Sequence, residues 1–570
     1  MIVIRNQTIL DILSERARFQ PDKVVYEYLE NGDTLSDKLT FAELEEIVTL
    51  YARNLSETCS SRNRIIIYAS SGLSFIEMFL SCLKAGIVAV PVHMPRKSTP
   101  IEKYEKIFLD CETKHAIIAE EDETLLSENF VAMMKNRGVH LIKYKRAQSS
   151  SSDDVHSISH GTKLDNLAFI QYTSGSSGVP KGVCITHRNI VENSFMIEDA
   201  FEHTSETVMV GWLPTFHDMG LIGNVIQPIF TGFKCISMPP LAFVQKPIRW
   251  LKAISNYHAT SSGGPNFGYD LMINNIKPEE REGLDLSSWK VAFNGSEPIC
   301  RSTLSQFTQI YSQYGFDNTS HFPCYGMAET TLFVSGGNLT LKSSILSVSK
   351  SAFENKFVKL SSDHDAIKVV SSGVPAKTLD LAIVDPNTRI KLSNAYIGEI
   401  WISGPNVSQT YLCQPELSKE MMRAQIRNKN TESYLRTGDL GFIYNNELFV
   451  CGRIKDMMIF GGRNIFPQDI ELLVGQSHPY LVHGGTAAFE IIIKGSNRLV
   501  VLQEVKRVDR KRINFEETKR DISLLIAQHF QVALHDLVFI HERSLPKTSS
   551  GKIQRSLSKT KYIDGILKKL

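Results

Sequence analysis

The alternation of two hydrophobic periods is the strongest constraint on what this chain can fold into. Residues 65–68 are a short β-branched run, Ser74–Lys84 carries apolar side chains at helical spacing, Gly86 suits a helix C-terminus, and residues 87–90 return to strand character. The cycle recurs from 208–212 through 219–230 and Gly232 to 235–238, and again around 260–262, 291–293 and the helical stretch Arg301–Tyr311. Strands alternating with helices predict parallel sheets, whose ligands bind at the carboxyl ends of the strands. Past Gly452 the texture changes. Residues 487–493 and 499–505 read as strands joined by a Lys-Gly-Ser-Asn turn, 516–529 as a helix and 537–541 as a further strand. The expected fold is therefore a large α/β body followed by a small α+β tail. The Ser/Asp-rich residues 149–159 read as an exposed loop, and no repeat of solenoid length is present.

Charge and composition narrow the function classes. Lys+Arg 63 against Asp+Glu 61 leaves a net +2, without the basic excess of a dedicated nucleic-acid binder. The longest apolar stretch, 75–92, is interrupted by Glu77, Lys84 and Gly86, which predicts a helix followed by a strand, with no stable membrane insertion. The N-terminal residues mix charges among apolar positions and lack a signal-peptide core, so the reading is cytoplasmic. Nine cysteines (59, 82, 111, 184, 235, 300, 324, 413 and 451) are scattered without a C-x-x-C pair. They read as buried reduced thiols, not as a disulfide framework or a zinc site.

The most informative segment is Tyr172-Thr-Ser-Gly-Ser-Ser-Gly-Val-Pro-Lys-Gly182. Its hydroxyls and glycines let backbone N–H and side-chain O–H groups converge on one anion, with Lys181 adding charge. Pro180 takes the place of the second glycine of a Walker loop, and Val179 spoils a hydrolase elbow around Ser177. A plain Gly/Ser linker would not run into Val-Pro-Lys-Gly and then a strand-like Val-Cys-Ile-Thr.

At this point the chain resembles the adenylate-forming superfamily of acyl- and aryl-CoA ligases, luciferases and adenylation domains. Leu213-Pro-Thr-Phe-His-Asp-Met-Gly-Leu221, Asn294-Gly-Ser-Glu-Pro298, Tyr325-Gly-Met-Ala-Glu-Thr330 and Tyr434-Leu-Arg-Thr-Gly-Asp-Leu440 follow in that family's order. Gly452-Arg-Ile-Lys-Asp456 and Leu545-Pro-Lys-Thr-Ser-Ser-Gly-Lys-Ile-Gln-Arg555 complete the series across nearly the whole chain. Within the superfamily, Gly263-Gly-Pro-Asn-Phe267 and Gly461-Gly-Arg-Asn-Ile-Phe-Pro-Gln-Asp-Ile-Glu471 look like fatty acyl-AMP ligases. Residues 336–372 are similar in placement to that group's characteristic insertion.

The resemblance implies a body over 1–454, a mobile tail over 455–570 and a hinge at Lys455. It implies attack of a fatty-acid carboxylate on the α-phosphorus of ATP, with Mg2+, giving acyl-adenylate and pyrophosphate. The acyl group would then pass to the phosphopantetheine thiol of an acyl carrier protein, or of a carrier domain in a polyketide or nonribosomal peptide synthase. Thr173, Ser174, Gly175, Ser176, Ser177, Gly178 and Lys181 fall to the β- and γ-phosphates, and Glu329 to magnesium, as a hard oxygen suits a hard ion. Gly295, Ser296, Glu297, Tyr325, Gly326 and Met327 fall to the adenine pocket. Asp439 falls to the ribose hydroxyls, with Arg453 near the sugar or the phosphates.

Lys552 would set an ammonium against the attacking carboxylate and the α-phosphate. No general base is needed, because the nucleophile is already ionised at neutral pH. His217, beside the expected acyl entrance, reads either as a gate or contact to the adenylate carbonyl, or as a structural histidine. Asp218 has a competing role as a helix N-cap. The basic run from Lys506 to Arg512 serves either a solvated face or an acidic carrier. Three rival readings remain: an acyl-CoA ligase, amino-acid adenylation, and a non-catalytic adenylate-binding regulator.

Overall fold

The structure is a computed structural model that describes residues 5–60, 63–69, 72–95, 101–146, 162–173, 180–339, 343–427, 432–548 and 551–570. The expected loop at 149–159 lies outside the described residues, as do Ser174, Gly175, Ser176, Ser177 and Gly178.

Two large sheets form the body. A six-stranded sheet has the order His140–Tyr144, His115–Ala119, Arg64–Ala69, Val88–His93, Leu167–Thr173 and Lys181–Thr186, parallel except for its last pair. A nine-stranded sheet has six parallel strands at its centre: His321–Gly326, Val291–Asn294, Ser261–Gly264, Val208–Gly211, Lys234–Ser237 and Val24–Leu29. Antiparallel strands Phe333–Gly336, Val374–Pro375 and Leu35–Thr40 close its edges. The alternating periods thus give the parallel α/β body that they predict.

The helix Ser74–Lys84 shows where local pattern stops being informative. Every residue from Phe75 to Lys84 is buried, although Glu77 and Lys84 interrupt the apolar run. Both charges are paired inside the body. Glu77 accepts from Tyr144 and meets Arg146, which also donates to Asp37, while Lys84 meets Glu45. Unpaired burial of either charge would be strongly destabilising. The segment 219–230 also departs from a plain α-helix. Residues Met219–Ile226 are π-wound, with the Gln227 N–H reaching back to Ile222, before an α-helical turn ends at Gly232. Gly232 has φ +87°, and a Cβ there would lie 2.5 Å from the Arg16 guanidinium. Of the cysteines, all unbridged, five are buried but Cys413 is exposed, which the sequence did not signal.

An antiparallel four-stranded sheet, Asp380–Val384, Gly398–Ser403, Leu435–Tyr444 and Glu447–Arg453, leads to the tail. The tail sheet joins Leu481–Ile493 and Ser496–Val505 as a hairpin, with Leu534–His541 parallel to the second strand. Lys494 and Gly495 make its tight turn, both at positive φ. Apolar residues fill both faces of this sheet: Leu499 and Val501 pack in one cluster, Val500 and Leu502 in another. Residues 336–372 contain a two-stranded sheet, Ile345–Val348 with Ile367–Val370, and the short helix Lys350–Glu354. Among the described residues no helix is long and apolar enough to cross a membrane.

Candidate active site

The carboxyl ends of neighbouring parallel strands deliver the motif residues to one place. Gly264 lies opposite Asn294, and Asn294 opposite Pro323, so Phe267, Glu297 and Glu329 follow from adjacent strand ends. Gly326 allows a tight crossing, because a Cβ there would fall 1.7 Å from the Leu332 carbonyl oxygen. Ser296 takes a left-handed φ of 73°, which turns the chain sharply between Gly295 and Glu297.

Glu329 is 8% exposed, and burial pushes its carboxyl upward. Tyr411 donates its hydroxyl to Glu329 Oε1 at 2.8 Å, which favours the ionised form. The Lys181 ammonium lies 5.3 Å from the centre of the same tyrosine ring, so one side chain links the two charges. Burial and then the nearby Lys455 lower the Lys181 pKa. Thr173 and Lys181 are direct cross-strand partners, so the described ends of the Gly/Ser segment meet beside Tyr411 and Glu329. Tyr411 was not legible in the sequence: the run Ser-Gln-Thr-Tyr-Leu has no pattern that singles it out.

Asp439 and Arg453 are register partners in the four-stranded sheet. Asp439 Oδ1 lies 3.2 Å from Arg453 Nε, and Oδ2 accepts from the Tyr325 hydroxyl at 2.7 Å. This ties Tyr325, next to Gly326 and Met327, to the pair that sequence placed at the sugar.

The tail inserts Lys552 into the same cleft. Thr548 N–H donates to the Lys552 carbonyl at 2.8 Å, and Lys552 N–H donates to Thr548 Oγ1 at 3.0 Å, which closes the loop. Gly551, at φ +85°, approaches the Phe267 ring so closely that a Cβ would sit 2.9 Å from it. Burial and then Arg453 lower the Lys552 pKa, while Asp218, Glu297 and Asp439 oppose the shift. Glu297 accepts from the Phe267 N–H at 2.6 Å, yet burial dominates and raises its carboxyl to about 7. Burial opposes the Asp218 charge as well, but His217, 2.5 Å away, and then Lys552 hold that carboxyl down at about 2. Asp218 also caps the π-wound segment by accepting from the Met219 N–H at 2.8 Å, which is its expected N-cap role.

These residues line one cavity of about 2190 Å³, whose lining also takes in Met219, Gly223 and apolar side chains such as Ile197 and Phe333. A family model described as AMP-binding enzyme matches residues 13–412. The chain belongs to this family. Beyond the AMP-binding match, residues 455–570 fit a second model, Disco-interacting protein 2-like, AMP domain. Among AMP-binding relatives, the medium-chain fatty acid–acyl-carrier-protein ligase JamA of Moorena producens is 36% identical, over 98% of this chain and 96% of its own. A fatty acyl-adenylate ligase from Legionella pneumophila, solved with acyl adenylate and pyrophosphate, superposes with a TM-score of 0.74. It is 33% identical, covering 98% of this chain and 96% of that one. A chain from structural and functional studies of fatty acyl-adenylate ligases from E. coli and L. pneumophila reaches a TM-score of 0.86. Its identity is 28%, covering 98% of each chain. The α/β architecture is that of these adenylate-forming ligases.

Proposed function

We propose that this enzyme joins a medium-chain fatty acid to AMP at the expense of ATP, and passes the acyl group to the phosphopantetheine thiol of an acyl carrier protein. The observation that carries the reading is convergence. Lys552 from the tail meets Glu297, Asp218, Asp439 and Arg453 from the body, beside Lys181 and Glu329. The body of this machine is 1–454 and the tail 455–570, with the hinge at Lys455. Two anionic reactants must be brought together, so positive charge and positioning supply the rate. Lys552 stabilises the developing charge between carboxylate and α-phosphate, while Lys181 and the Gly/Ser segment hold the outer phosphates. Asp439 receives the ribose hydroxyls, and Tyr325, fixed by Asp439, presents its face to the adenine.

Glu329 fits a magnesium ion. Tyr411 occupies one carboxylate oxygen, which leaves the other to face a hard cation. Among the described residues no three His, Cys, Asp or Glu side chains converge, so Glu329 would hold such an ion as a single acidic ligand. When bound, it would neutralise phosphate charge.

Mass analysis of products after incubation with fatty acid, Mg-ATP and either carrier protein or CoA tests the whole reading. Acyl-AMP and acylated carrier are expected. Acyl-CoA formed as efficiently as acyl-carrier would instead favour the CoA ligase, and amino-acid-dependent exchange would favour amino-acid adenylation. Absence of acid-dependent pyrophosphate release would leave the non-catalytic regulator.

Two narrower results follow from the site. Ionised Glu297 favours the charged form of Lys552, so Glu297→Gln lowers the lysine pKa further. The alkaline limb of pyrophosphate release is expected to start at lower pH in Glu297→Gln. The two profiles should converge below pH about 7, where the native carboxyl is itself protonated. A limb that does not move would uncouple Glu297 from Lys552. Lys455→Pro is expected to spare adenylate formation but slow transfer to the carrier sharply, because proline fixes φ where the tail turns. Equal loss of both steps would mean damage to the fold.

A further inference from the structure

Part of the cavity lining beyond Asp218 is apolar but not wholly so. Met219, Gly223 and Gln227 line it at intervals of four along the π-wound segment and the helical turn after it, one face leading away from Asp218. Ile197, Phe201 and Phe333 line the same cavity. Gln227 follows Met219 by two such intervals along this segment, farther from Asp218.

Gln227 has no exposed surface, and its amide nitrogen donates to the Ser194 carbonyl and to Thr231 Oγ1, each at 3.1 Å. The Ser194 carbonyl can only accept, so it fixes which end of the amide is nitrogen. The remaining end, Oε1, is a buried acceptor with no partner. His203, 7% exposed, lines the same cavity. Its Nε2 lies 3.0 Å from Ser261 Oγ, and its Nδ1 also has no partner. Two other unpartnered atoms on the wall lie nearer the reacting centre: Gln171, which donates to Phe216 O beside His217, and Trp212, which packs on Phe267.

An unpaired buried acceptor is costly, and a tunnel for plain alkyl chains gains nothing from one. We propose that the cavity selects a fatty acid bearing a neutral hydroxyl on its distal carbons, which donates to Gln227 Oε1 with His203 Nδ1 as the second polar contact. A hydroxyl has one donor and two acceptor sites, which suits an amide oxygen and a neutral imidazole. Burial holds the His203 pKa down at about 3, so no positive charge is present to welcome a distal carboxylate. This inference rests on the fatty-acid ligase reading and deepens it by naming the class of acid.

The test compares kcat/KM for pyrophosphate release by the full-length enzyme across medium-chain acids, each as plain, ω-hydroxy and (ω−1)-hydroxy forms. A bare apolar tunnel disfavours every hydroxy acid. The selective site is expected to prefer one hydroxy acid over its plain parent by about tenfold or more. The readout for variants is the hydroxy-to-plain ratio within each protein, which cancels any general loss. Gln227→Met should abolish the preference. His203→Phe, which leaves the Ser194 contact intact, should reduce it independently should Gln227→Met fold poorly. Plain acids equal or better at every length would overturn the inference and indicate a resident water at Gln227. A preference that persists in both variants would overturn it too. If plain and hydroxy acids all fail to release pyrophosphate, the ligase reading falls as well, which is a distinguishable result.

Discussion

Replacing Lys552 by alanine is expected to reduce fatty-acid-dependent pyrophosphate release by about 10²–10³, the usual scale for losing one preorganised charge at a transition state. The protein should remain folded and still bind ATP, because the tail's apolar clusters do not include this side chain. Its loop is also held independently, by backbone and hydroxyl contacts at Thr548. Loss of the ammonium removes a cation that Glu297, Asp218 and Asp439 favour, so the incoming carboxylate meets less positive charge. Near-normal turnover by the folded variant would remove Lys552 from the chemistry.

Trimming residues 343–370 to a short loop is expected to raise acyl-CoA formation by up to about a hundredfold without improving adenylation. Residues of this segment touch residues beyond 455 in this arrangement. Lys350 donates to the His529 carbonyl and lies 5.5 Å from the Phe530 ring centre. Asn464 donates to the Glu354 carbonyl at 2.8 Å, and the rings of Phe353 and Phe466 are 6.2 Å apart. Contacts of these kinds together supply about 2.7 kcal/mol, which biases tail orientations about a hundredfold. A carrier protein can offset that bias with its own interface energy, whereas free CoA offers fewer contacts. Val348 and Val369 share a cluster with Phe442 and Phe449, so trimming also uncovers apolar surface. Lys350→Ala combined with Asn464→Ala avoids that exposure and should move CoA turnover in the same direction by less. Unchanged CoA turnover in both would free the insertion of any part in acceptor choice.

The sequence was most legible where the determining interactions are local. The strand and helix at 65–90, the helix Arg301–Tyr311 and the tail hairpin follow from side-chain periodicity and glycine placement within a few residues. Lys84 and Glu77 were legible only as interruptions, because their partners Glu45 and Tyr144 are 39 and 67 residues distant. Phe267, Glu297 and Glu329 converge because each follows the carboxyl end of a parallel strand, which the predicted parallel topology already required, whereas Lys181, Asp439 and Lys552 arrive from antiparallel strands and a tail loop. Tyr411 had no such signal: its role as a link between Lys181 and Glu329 exists only once three distant segments meet. The free oxygen of Gln227 was equally silent, since a glutamine in an apolar run reads the same whether its amide is saturated or not. The π-wound geometry at Met219–Ile226 eluded the period analysis because its spacing lies close to that of an α-helix.

The tail sheet is apolar on both faces, with Leu499 and Val501 on one side and Val500 and Leu502 on the other. The proposed rotation about Lys455 would break contacts outside this sheet, among them Gly551 against Phe267 and Lys350 against His529. The central amide protons of Ser496–Val505, bonded within the sheet, are carried along unbroken. They should exchange with solvent only when the tail melts as a cooperative unit, however often the enzyme changes posture. Slow exchange there, alongside fast exchange at the contacts outside the sheet, would let a single labelling experiment separate catalytic motion from loss of structure.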